Sequence, residues 1–75
     1  MSKILLSAIE KELDTRDKRY MFLILEFPLV VKKVNLEGSS EYCAMMIYDE
    51  IKKHCLLESL QRVFELKFGY NFNKI

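Results

Sequence analysis

The chain has 75 residues, 51% hydrophobic and 31% charged, and its twelve Lys and Arg against eleven Asp and Glu leave a formal charge of +1. A length below the ~100–150 residues of a typical domain admits one core, so residues 1–75 read as a single folded domain outside the disordered regime. Charge of both signs spread along the chain excludes the basic face of a nucleic-acid binder, and the longest apolar stretch, residues 20–31, is interrupted by Glu26 and Pro28, far short of the ~20 residues that span a bilayer.

The opening apolar run, Ile4-Leu5-Leu6, is soon followed by Glu10, Lys11 and Glu12. No signal-peptide core is expected, and the expected compartment is the cytoplasm. Ile4, Leu5, Ala8, Ile9 and Leu13 share one helical stripe, with Ser2 able to cap its start, which predicts helix 1 over about residues 3–13. Asp14 and Thr15 are capping types. After them Tyr20, Phe22, Leu23, Ile24 and Phe27 are dense enough for a second helix buried on most sides and running to about Glu26. β-Strand is the competing reading for residues 21–25, because a short apolar run is not typed by periodicity alone.

Pro28 suits the first turn of a new helix and forces Phe27 out of the α region, predicting a short helix 3 over about residues 28–34. The β-branched Val30, Val31 and Val34 leave a 3₁₀ or irregular segment as the alternative there. Residues 35–40 read as a loop, with Gly38 free to take positive φ and a serine free to cap the next helix. From Glu41, the positions Ala44, Ile47, Tyr48, Ile51 and Cys55 follow helical spacing, with Asp49, Glu50, Lys52 and Lys53 opposite. Asp49 and Lys53 stand at i, i+4 as an acid-to-base pair, and helix 4 should end near His54. Leu56, Leu57, Leu60, Val63, Phe64 and Lys67 continue the period with Gly69 placed to end it, so helix 5 is predicted over about residues 56–68, followed by a half-turn carrying Tyr70 and Phe72.

Catalysis needs convergent titratable groups, and the single histidine, His54, adjoins Cys55 in sequence, which turns the two side chains about 100° apart on a helix. Glu50 and His54 could share a cation, but two ligands do not make a zinc site. No glycine-rich phosphate loop or nucleophile motif occurs, so no enzyme activity and no cofactor are expected. Cys43 and Cys55, twelve residues apart, fit neither a redox pair nor a zinc knuckle and read as reduced thiols in or near the core. The nine aromatics and the four methionines, Met45-Met46 among them, read mainly as core and gap-filling residues.

The order of these features resembles a known family. The leucine-rich start Ile4-Leu5-Leu6-Ser7-Ala8-Ile9 is followed by Leu25-Glu26-Phe27-Pro28 and by Leu36-Glu37-Gly38-Ser39-Ser40. The second half runs from Tyr42-Cys43-Ala44-Met45-Met46-Ile47-Tyr48 through Leu56-Leu57-Glu58-Ser59-Leu60 to Tyr70-Asn71-Phe72. Together these look like the bacterial effector-associated domains. The resemblance implies an all-α, death-like fold, a compact antiparallel bundle of five or six helices. It also implies a role as an adaptor in bacterial conflict and antiphage systems, where such domains are fused to an effector or sensor and meet their like.

The partner this implies is another protein of related death-like fold, or a further copy of the chain. The candidate binding residues are Lys32 and Lys33 at the end of helix 3 and Asp49 and Glu50 on the outer face of helix 4, complementary patches able to meet head to tail. The alternative function is a free-standing helical inhibitor or antitoxin that occludes a host enzyme.

Overall fold

A computed structural model describes residues 2–72, which form five helices and, among the described residues, no strand. They are α1 (Ser2–Glu12), α2 (Arg16–Glu26), α3 (Pro28–Val31), α4 (Ser40–Lys53) and α5 (Leu57–Phe68). No described helix is long and apolar enough to cross a membrane. The Cα radius of gyration is 11.1 Å, the value of about 11 Å expected for a compact chain of this length.

Each boundary has a local cause. The expected Ser2 cap rests on a side chain outside the described set. Thr15 caps α2, its hydroxyl accepting from the Lys18 N–H at 3.2 Å. Pro28 is the first residue of α3, and Phe27 before it is non-helical at φ −140° and ψ 64°. α3 stops at Val31, three residues before its expected end. The three valines prefer extended backbone, and the next turn closes with a tighter bond, Lys33 N–H to Val30 C=O at 2.9 Å. Ser39 caps α4 by accepting from the Tyr42 N–H at 3.1 Å, and Gly38 before it takes φ +113°.

The core forms where the stripes of α1, α4 and α5 meet. Leu5, Ala8, Ile9 and Leu13 from the first segment lie against Ala44, Ile47 and Ile51 of α4 and Leu60 and Phe64 of α5. α1 packs chiefly on α4, and α2 is joined to the body through Phe22 and Leu23. Each fully buried Leu, Ile or Phe contributes about 1.5–3 kcal/mol relative to an exposed one. Phe72 is also buried, its ring stacked on Tyr70 at 5.5 Å, so the segment after α5 folds back onto the core. The Tyr70 hydroxyl donates to Glu12 at 2.8 Å. Burial, the hydrogen bond and the nearby negative charge together push this phenol up to about 12.

Several expectations are corrected. Cys43 is buried, its thiol donating to the Glu37 carbonyl at 3.4 Å, but Cys55 is exposed. The reason is a Schellman ending to α4, in which the Leu56 N–H reaches Ile51 C=O and the Cys55 N–H reaches Lys52 C=O, both at 3.0 Å. That ending places Cys55 at φ +58° and turns it out of the α4 stripe. Lys53 pairs with Glu50 at 3.7 Å, one residue away from the expected Asp49. Ile4, Met21 and Met45 are exposed, as are Tyr20 and Ile24 on α2, so that helix is buried on one side only.

Candidate protein-binding surface

The orientation of α2 is set by one buried cation. Arg19 is 3% exposed, and among the described residues no ion pair engages it. Its Nε donates to the Leu13 carbonyl, one terminal nitrogen to the Leu36 carbonyl and the other to the Ser40 hydroxyl, each at 2.9 Å. Ser40 in turn donates to the Asp14 carbonyl at 3.2 Å. A guanidinium presents a rigid planar fork of donors, so a single side chain ties the α1–α2 turn, the loop before α4 and the first residue of α4 to α2. At the exposed start of α2, Lys18 reaches Asp14 at 3.1 Å, and that hydrogen bond, reinforced by the charge, holds the Asp14 carboxyl below the usual carboxylate range.

The inner side of α2 is held by rings. Phe22 meets Phe64 edge-on at 5.4 Å and lies 6.1 Å from Phe27 and 6.2 Å from Phe68, while Phe64 and Phe68 meet at 4.9 Å. Lys67 of α5 reaches Glu26 at the end of α2 at 3.1 Å. With Arg19, Phe22 and Leu23 turned inward, the 3.6-residue period sends Tyr20, Met21, Ile24 and Leu25 outward over an arc of about 140°.

All four outward residues are large and apolar, with exposures of 43%, 54%, 38% and 64% in that order. Leu29, four residues further on, is 73% exposed. These five offer on the order of 500 Å² of apolar side-chain surface, in the upper part of the range for the largest patch on a monomer, a kind of patch that is often functional. A groove flanks the patch, lined by Met21, Leu25 and Phe68 with Lys18 and Lys67 at its edges. Leu29 borders a second groove with Phe27, Leu56 and Val63.

Lys32 and Lys33 are exposed in the turn after α3, and Asp49 is exposed on α4. Among the described residues no ion pair engages these three. Glu50 is different, because its side chain is only 15% exposed and lies 3.7 Å from Lys53 and 3.4 Å from His54. The described residues contain no group of three or more His, Cys, Asp or Glu arranged to hold a metal ion.

The sequence reading did not single out the outer arc of α2. A signal for it was present, since residues 20–25 are apolar all round the helix, and a 75-residue domain of short helices has too little interior to enclose one of them on every side. Comparison with protein-family models, with curated proteins and with solved structures finds no match to the chain.

Proposed function

We propose that the chain is a non-catalytic protein-interaction domain of the adaptor type, with a death-like bundle, which recruits or oligomerises effectors in bacterial conflict systems through contacts with a related helical domain. The observation that carries the reading is the outward arc of Tyr20, Met21, Ile24 and Leu25, a helix face apolar on its solvent side while its inner side is fixed by Arg19 and Phe22. Water contact with such a face is unfavourable by about 25 cal/mol per Å² of apolar surface, which a docked partner removes. The resemblance to effector-associated domains supplies the class of partner. The exposed charges of Lys32, Lys33 and Asp49 supply steering and register around it, with Glu50 acting from within its cluster with Lys53 and His54.

The test places a photo-crosslinking amino acid at position 25 in the full chain expressed in its native host, with position 58 on the polar side of α5 as control. Adducts with a polypeptide at 25 and none at 58, identified by mass spectrometry, are expected. An absence of adducts at 25 would overturn the reading.

A further inference from the structure

We infer that the slot filled by Tyr70 and Phe72 is a peptide-binding site held shut by the segment that follows α5, and that its ligand in trans is a short protein segment with the same Tyr-x-Phe spacing. Neither residue belongs to the outer arc of α2, so the slot stands whether or not that arc is covered.

α5 is complete without this segment. Its last helical bond, Gly69 N–H to Glu65 C=O at 3.1 Å, closes before the chain turns, and Gly69 takes the turn at φ +76° with nothing within 4 Å of an added Cβ. Beyond that hinge the bundle reads three groups. The Tyr70 hydroxyl donates to the Glu12 carboxylate of α1 at 2.8 Å, the Phe72 N–H donates to the Glu65 carboxylate of α5 at 3.3 Å, and the Phe72 ring is 2% exposed. The Tyr70 ring lies 5.9 Å from Phe64 and stacks on Phe72 at 5.5 Å and 3°. Two rings two residues apart on one side are the pattern of an extended segment, whose alternate side chains share a face. These contacts do not pass through the peptide bond to Gly69. A separate chain with a phenol, an N–H and a ring at the same spacing makes them equally well.

The polar contacts define the ligand. Both acceptors are carboxylates, and a hydrogen bond to a charged acceptor is about twice as strong as a neutral one. Glu12 selects tyrosine over phenylalanine at the first position, because phenylalanine leaves that carboxylate without its donor. A segment attached through one hinge opens at a fraction of the cost of global unfolding, so the slot is vacated while the bundle stays folded. A ligand in trans competes with a strap whose effective concentration is on the order of mM or above. Beside Tyr70 a groove runs along α1, lined by Lys3, Ile4, Ser7 and Lys11, and it gives a longer ligand contacts beyond these three residues.

The test uses the full chain carrying Phe72→Ala and an acetylated synthetic peptide with the sequence of residues 69–73. The variant should keep its helical circular dichroism, since loss of one ring releases the strap and leaves α1 to α5 in place. The peptide should bind it with a dissociation constant on the order of 0.1–1 mM, read from NMR shifts of the Phe64 ring, and should raise its melting temperature. The native chain should bind at least about tenfold more weakly, because its own strap fills the slot. Peptides carrying Phe72→Ala or Tyr70→Phe should lose about tenfold and about fivefold in affinity. Glu12→Gln, added to the Phe72→Ala chain, should weaken the native peptide about fivefold and leave the Tyr70→Phe peptide within about twofold, since both changes remove one contact. In the native chain the Phe72 amide should exchange with solvent at least about 100-fold faster than the amide of the fully buried Ile51.

A Phe72→Ala chain that loses its helices makes this ring indispensable to the fold and overturns the inference, as does a Phe72 amide as protected as that of Ile51. Absence of binding to the folded variant at about 10 mM, ten times the weakest constant expected, overturns it as well. Binding indifferent both to Tyr70→Phe and to Glu12→Gln overturns the assigned ligand.

Discussion

Replacing Arg19 with Met keeps most of the volume of the side chain and removes its three donors. The Leu13 and Leu36 carbonyls and the Ser40 hydroxyl then lose a partner each. A buried acceptor left without a partner costs about 1–3 kcal/mol, and the Leu36 and Ser40 groups, only partly buried, regain some of this from water. Removing a buried guanidinium also relieves its desolvation, which offsets part of the loss. The net destabilisation expected is about 2–4 kcal/mol, a large share of the roughly 4–10 kcal/mol total of a domain this size. Urea unfolding followed by circular dichroism measures it. Ser40→Ala should cost about 1 kcal/mol alone and much less on top of Arg19→Met, because both act through one network. A midpoint for Arg19→Met within about 0.5 kcal/mol of the native chain, or strict additivity with Ser40→Ala, would refute the claim that this residue fixes α2.

Ile51→Ala and Leu60→Ala, at residues with no exposed surface, should each destabilise by about 2–5 kcal/mol and Phe64→Ala by about 3–5, read from the same unfolding curves. Cys55→Gly should stabilise by up to about 1 kcal/mol, since a residue with a side chain is strained at φ +58° and glycine is not. Gly69→Ala should destabilise by about 1 kcal/mol through φ +76° alone, because an added Cβ there meets nothing within 4 Å. Alkaline titration of tyrosine absorbance should resolve a phenol near 12 that disappears in Tyr70→Phe and moves down in Glu12→Gln. The folded value lies above the unfolded value of 10.0, so the stability this group adds is complete below pH 10 and is lost as pH rises through about 12, with Tyr70→Phe removing that dependence.

The helices were largely legible because their signals are local. Pro28 starts α3, Gly69 takes the left-handed position after α5 at φ +76°, and Ile47, Ile51, Leu60 and Phe64 are fully buried as their spacing requires. Two features were not legible for identifiable reasons. Arg19 sits among charged residues in Arg16-Asp17-Lys18-Arg19, and nothing local marks it as buried, since its acceptors come 6, 17 and 21 residues away along the chain. The left-handed turn after α4 falls on a cysteine, where glycine would have announced it. The binding surface was hidden by an abundance of signal: every position from 20 to 25 is apolar, so period alone did not separate the inward Phe22 and Leu23 from the outward Tyr20, Met21, Ile24 and Leu25. Lys32, Lys33 and Asp49 are exposed as the pattern suggested, while Glu50 is drawn into a local cluster with Lys53 and His54.

A surface reserved for a partner is dispensable for folding, and Leu25 allows both properties to be measured on one variant. With Leu25→Lys, a cation placed in the last turn of α2 also agrees with the helix dipole. The decisive measurement is the melting temperature of this variant alongside its crosslinking yield from a photoreactive residue placed at position 21 of the same exposed arc, compared at matched concentration with the chain that keeps Leu25. Recognition through α2 predicts a melting temperature equal to or above that of the native chain, together with loss of crosslinking. Crosslinking retained at native strength, or a fold that melts far below the native chain, would contradict it.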